Sequence, residues 1–147
     1  MENKIELWQM YCAIKKVIAK KFRTNNIEGE ITEELIAKFY GGELAKASSK
    51  GYDFKVDSLK YQVKARMAKN GKITGGLSDI HSWDFDYLVV ALYNEDGTFK
   101  LVKELTNAEA KQMAYKGKGR EVISVSSVKK QGVGKDITAA IKTKYHI

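Results

Sequence analysis

Between Phe85 and Tyr93 the chain reads FDYLVVALY, and no polar residue interrupts it from Leu88 to Leu92. A strand with one wet face alternates apolar and polar side chains. This run therefore predicts a strand covered on both sides, at the centre of a sheet with helices packed against it. The flanking segments must then supply neighbouring strands and amphipathic helices.

Upstream, Leu7, Tyr11, Ile14, Ile18 and Phe22 recur every three or four residues among Lys15, Lys16, Lys20 and Lys21, which predicts an amphipathic helix over about residues 3 to 22. Trp8, Tyr11 and Phe22 are expected in the core or at a subunit interface. A second helix is expected from about Glu28 to Tyr40, with Ile31, Leu35 and Phe39 as its buried stripe. Thr24-Asn25-Asn26 offers capping side chains at its start, and Gly41-Gly42 supplies a left-handed stop.

The period then drops to two. Phe54 and Val56 flank Lys55, and Leu59, Tyr61, Val63 and Ala65 alternate with Lys60, Gln62, Lys64 and Arg66, with Asp57-Ser58 between as a two-residue turn. AKNGKITGG reads as a flexible basic loop. After the central strand, NEDG turns the chain and TFKLVKEL returns as the next strand. Thr106 caps a helix to about Ala114, KGKGR breaks it, EVISV reads as a last short strand, and Asp136 caps a terminal helix over ITAAIKTKY. With no repeat or linker, the pattern is one α/β (α+β) domain over 1–147, a mixed β-sheet flanked by helices. It divides into N-terminal helices (3–41), a hairpin and sheet (51–105) and a basic C-terminal part (106–147).

The 147 residues are 44% hydrophobic and 30% charged, without proline, which suits a globular chain with a real core. Cys12 is the single cysteine, so internal disulfides and CxxC motifs are excluded. The N-terminal residues do not resemble a signal peptide, and no apolar segment has bilayer length; a reducing, cytoplasmic setting is expected. The net charge of +8, with 26 Lys+Arg against 18 Asp+Glu, is carried largely by YKGKGR, VKKQGVGK and IKTKYHI. Such a basic surface suggests a polyanionic partner, because each phosphate contact releases counterions.

The hairpin carries the chemistry. With a turn at Asp57-Ser58, Val56 pairs with Leu59, Phe54 with Tyr61 and Asp53 with Gln62. Paired side chains share a face with Cβ atoms about 5 Å apart, so Asp53, Gln62 and Lys64 converge on the polar side. An acid, an amide carbonyl and an ammonium make an oxygen-lined site suited to magnesium, which is commonly held by one or two carboxylates plus waters and phosphate oxygens. Glu33 lies about 20° from Tyr40 around the second helix, at the border of the apolar stripe, and can supply a further carboxylate. Glu30, one turn earlier, is the spare.

Glu33 on a helix, then Gly51-Tyr52-Asp53 and Gln62-Val63-Lys64, resembles the core of the PD-(D/E)XK nuclease superfamily. The resemblance covers roughly Glu28 to Tyr93. Tyr52 stands where the motif has proline, and Gln62 where it has an acid. It implies a restriction-endonuclease-like fold and magnesium-dependent hydrolysis of DNA. Asp53, Gln62 and Glu33 would hold Mg2+, and Lys64 would orient the water or neutralise charge on the phosphate. Arg66, Lys69 and Lys72, with Ser78, His81 and Ser82 nearby, would contact double-stranded DNA. Cutting both strands is most simply done by two sites, which implies a homodimer with the first helix packing on a second copy. The rival is a nucleic-acid-binding or assembly protein that kept the fold and lost the chemistry; an RNA or branched substrate is a third reading.

Other motifs carry less. His81 and His146 are too isolated for a zinc site. GKGR and GVGK lack phosphate-loop spacing. Asp84 and Asp86 read as solvated acids.

Overall fold

The computed structural model describes residues 2–46 and 51–147; Met1 and residues 47–50, part of the segment that carries the family resemblance, lie outside the described residues. The chain runs α1 (Glu2–Lys21), α2 (Ile27–Tyr40), β1 (Glu43–Leu44), β2 (Phe54–Val56), β3 (Leu59–Met67), β4 (Tyr87–Tyr93) and β5 (Phe99–Thr106). It continues through α3 (Asn107–Met113), β6 (Tyr115–Gly117), β7 (Arg120–Val122), α4 (Val125–Lys129), β8 (Lys135–Asp136) and α5 (Thr138–Tyr145). Among the described residues this is a mixed α+β fold with five helices and a mixed sheet of six strands in the order β1-β2-β3-β4-β5-β8. A separate two-stranded ribbon pairs β6 with β7.

Among the described residues only the β3–β4 pair is parallel, with Gln62 beside Leu88 and Lys64 beside Val90. A parallel pair needs a long crossover, and residues 68–86 supply it. Leu88 through Leu92 are fully buried, as an uninterrupted apolar run demands. Val89 and Ala91 join Phe54, Tyr61, Val63, α2 and α5 on one face, whereas Leu88, Val90 and Leu92 join Ile73, Ile80, Phe85, α3 and α4 on the other. No helix among the described residues is long and apolar enough to cross a membrane.

The hairpin has the predicted register: Phe54 pairs with Tyr61 and Val56 with Leu59, and Asp57 takes φ 53° in the turn. Helix α2 is capped as its ends require. Asn26 accepts from the Gly29 N–H, and Gly41, at φ 67°, donates to Lys38.

Several expectations are corrected. Leu35 and Phe39 of the expected α2 stripe pack partly buried against the core, but the deepest residues are Ile36 and Ala37 with the polar Glu30 and Thr32, which hydrogen-bond partners outside the helix make buriable. Trp8 and Tyr11 on α1 are exposed, not core. The AKNGKITGG loop is pinned by buried Ile73 and by a bridge between Gly76 and Ser124. KGKGR turns a hairpin, so only the start of EVISV is strand, paired outside the main sheet, and Ser124 then caps α4. Asp136 belongs to β8; Ile137 holds the N-cap position of α5, although the Asp136 carboxylate still accepts from the Thr138 N–H at 2.9 Å.

Candidate active site

Asp53 stands one residue before β2, where its N–H extends the hairpin ladder by donating to the Tyr61 carbonyl at 2.7 Å. Its carboxylate reaches across to β3. Asp53 Oδ2 accepts from Gln62 Nε2 at 2.8 Å and from the Val63 N–H at 2.7 Å. The second oxygen, Oδ1, has no hydrogen-bond donor among the described residues. Lys64 follows on the same face of β3, and its Nζ donates to Ser78 Oγ at 2.8 Å and to the Asp79 carbonyl at 3.0 Å. The crossover loop thus fixes the ammonium that the strand presents.

Glu33 arrives from α2, which packs over β2 and β3. Three clefts share these groups. One of about 360 Å³ holds Glu33 and Asp53 with Arg23, and one of about 330 Å³ holds Glu33, Gln62, Lys64 and Arg66. The third, about 510 Å³, joins Asp53, Gln62 and Lys64 to His81 and Ser82. The four residues picked out from the sequence therefore line adjoining clefts beside the part of β3 that β2 leaves unpaired.

Burial pushes the Glu33 carboxyl up to about 7, with the Asp53 charge adding to the rise and Arg23 and Lys64 opposing it. Burial likewise raises Asp53 against the Val63 N–H and Lys64. The Lys64 ammonium is lowered by burial, although Asp53, Asp79 and Glu33 favour its charge. Burial thus works against the charge of both carboxylates and of the ammonium, while Arg23 and Lys64 supply the positive charge that favours the ionised carboxylates.

The donor set fits magnesium rather than a softer metal. Among the described residues no group of three His, Cys, Asp or Glu side chains is placed to hold an ion. A cation here would have Asp53, Glu33, the Gln62 amide oxygen and water to draw on, the oxygen-only, partly hydrated coordination that magnesium accepts. Glu30 is not available: its carboxylate accepts N–H bonds from Arg23 at 2.8 and 3.0 Å and from Thr24 at 2.8 Å, which lower its pKa. These bonds fasten the α1–α2 link to α2.

The remaining predicted contacts divide. His81 and Ser82 line the cleft with Asp53, and Arg66 lines the one with Glu33 while donating to the Thr74 carbonyl at 2.9 Å. Ser78 is engaged by Lys64 and serves as its anchor. Lys69 and Lys72 close a tight exposed turn beyond the end of β3 and line none of the three clefts. Asp84 and Asp86 hold Lys60, through its Nζ at 2.9 Å and its N–H at 2.8 Å. Sequence reasoning missed Arg23, which lies between the two predicted helices, and the Asp79 carbonyl, a backbone group with no side-chain signature.

No family model matches the chain, and no curated protein matches it.

Proposed function

We propose that the protein is a magnesium-dependent endonuclease of the restriction-endonuclease-like fold, a PD-(D/E)XK relative that hydrolyses double-stranded DNA as a cytoplasmic homodimer. The observation that supports this reading is the Asp53 carboxylate clasped by Gln62 and Val63, with Lys64 and Glu33 sharing its clefts.

Asp53, Glu33 and the Gln62 carbonyl oxygen would hold the ion. The chemistry such an ion would supply is polarisation of the scissile phosphate and a lowered pKa for an attacking water. Gln62 Nε2 orients Asp53, and Glu33 restores the negative charge that an amide in place of an acid forfeits. Lys64, fixed by Ser78 and Asp79, orients the water and offsets charge building on the phosphate. Arg66, His81 and Ser82 face the substrate at the cleft edges, and Lys69 and Lys72 contact the backbone further out.

The test is nicking of supercoiled DNA with magnesium. The wild type is expected to cut, and Lys64→Ala to cut about 10² to 10³ times more slowly while retaining DNA binding. Binding without cleavage by the wild type would instead support a nucleic-acid-binding module. Competition by RNA or branched DNA that outruns duplex would change the substrate.

A further inference from the structure

Helix α1 leaves its apolar side uncovered. Leu7, Met10, Ile14 and Val17 are 55%, 59%, 55% and 61% exposed, and among the described residues no element packs extensively on the helix. Their spacing of three, four and three residues is the seam of a two-heptad coiled coil. Trp8 stacks on Tyr11 at 5.8 Å between ring centroids, which widens the same side. A helix of this length takes most of its stability from packing, and an exposed apolar stripe this long marks an interaction surface.

Charge selects the occupant and its direction. Glu6 lies near the start of α1, while Lys15, Lys16, Lys20 and Lys21 crowd its end. A second copy laid parallel would set Lys21 against Lys21 at a seam position and the lysine-rich ends side by side. Laid antiparallel, the helix pairs Leu7 with the second copy's Val17, Met10 with its Ile14, and Asn3 with its Lys21. The flanking positions then bring Glu6 to the second copy's Lys20, and symmetry repeats that pair at the other end. Tyr11 meets its own copy near the axis. Lys15 and Lys16 point away from the seam and stay in water.

We infer that α1 is a homodimerisation helix, pairing antiparallel with α1 of a second copy along Leu7, Met10, Ile14 and Val17, with a Glu6–Lys20 ion pair at each end. This rests on the homodimer reading above and not on the nuclease chemistry. An apolar seam supplies adhesion, and the complementary ends exclude the parallel arrangement.

Light scattering across a concentration series tests it. The wild type is expected at twice 16.6 kDa, and Ile14→Glu at the single-chain mass with its sheet signal in circular dichroism retained. Glu6→Lys is expected to weaken the dimer about tenfold, since two attractions become repulsions together, and Glu6→Lys with Lys20→Glu to restore it. In a Cys12→Ser background, a mixture of Glu6→Cys and Lys20→Cys chains is expected to form the mixed disulfide faster than either symmetric one. A wild type that stays monomeric overturns both the pairing and the homodimer. A dimer that survives Ile14→Glu, or a preference for the symmetric disulfides, overturns the pairing alone. DNA cleavage plays no part in these readouts.

Discussion

Helices α1 and α2 are neighbours in sequence and opposites in how they meet water. Helix α2 buries polar groups: Glu30 and Thr32 lie inside, and Glu33 is half covered beside Asp53. Helix α1 does the reverse and holds Leu7, Met10, Ile14 and Val17 out in solvent. Burying polar groups costs stability unless each is matched, and exposing an apolar stripe forgoes the burial that holds helices in place. Where sequence, pattern and packing disagree, a functional demand is the usual cause. On α2 the half-buried acid faces the clefts it shares with Asp53, Gln62 and Lys64; on α1 the apolar stripe is a surface that the described residues do not cover.

The largest test of that contrast places one deletion on each helix. Ile36 is fully buried under the sheet face lined by Phe54 and Val89, so Ile36→Ala is expected to cost about 2 to 5 kcal/mol in urea unfolding. Ile14→Ala, in chain diluted to the monomer, is expected to cost less than about 0.5 kcal/mol. Equal losses would place α1 in the domain core and erase the contrast.

A smaller effect probes how α2 tolerates a polar interior. Thr32 Oγ1 donates to the Glu28 carbonyl at 2.6 Å and lies 2.8 Å from the Tyr93 hydroxyl. Thr32→Val strands that hydroxyl and is expected to cost about 1 to 3 kcal/mol. Adding Tyr93→Phe is expected to recover part of the loss, because removing both partners leaves nothing unsatisfied. A double variant no better than the single one would show that shape, not hydrogen bonding, governs this contact.

The same pair shows what was legible in the sequence. Strand β4, the hairpin register and the ends of α2 follow from patterns a few residues wide: an unbroken apolar run, a period of two about Asp57-Ser58, Asn26 before the helix and Gly41 after it. The meeting of Asp53 with Gln62 follows from that register too. The burial of Glu30 and Thr32 on α2 does not. It is decided by Tyr93, 61 residues beyond Thr32, and by the Arg23 and Thr24 N–H groups that satisfy Glu30. Hydrophobic periodicity cannot register a polar residue made buriable by a distant partner. Lys64 divides the same way: its place on β3 is local, whereas its anchors on Ser78 and Asp79 depend on how the parallel crossover returns.

The smallest expected effect carries the pH dependence of the site. In metal-free solution below the ordinary Glu33 value of 4.5, the carboxyl is neutral whether the chain is folded or not. Between 4.5 and about 7 the folded chain keeps a proton that the unfolded chain has released, so stability falls as pH rises through about 7. Glu33→Gln has no proton to lose and escapes this decline. Relative to wild type it is expected to gain about 1 kcal/mol at about pH 8 over its standing near pH 4, a figure reduced for the half-exposed position. Urea midpoints at the two pH values read the difference directly, and a difference that does not vary with pH would remove Glu33 from the charged cluster. Magnesium should then act in the opposite sense at the higher pH, raising the wild-type midpoint more than that of Glu33→Gln, because the cation compensates the charge that only the wild type carries. Equal responses of the two chains to magnesium would leave α2 with a buried acid but no part in holding an ion.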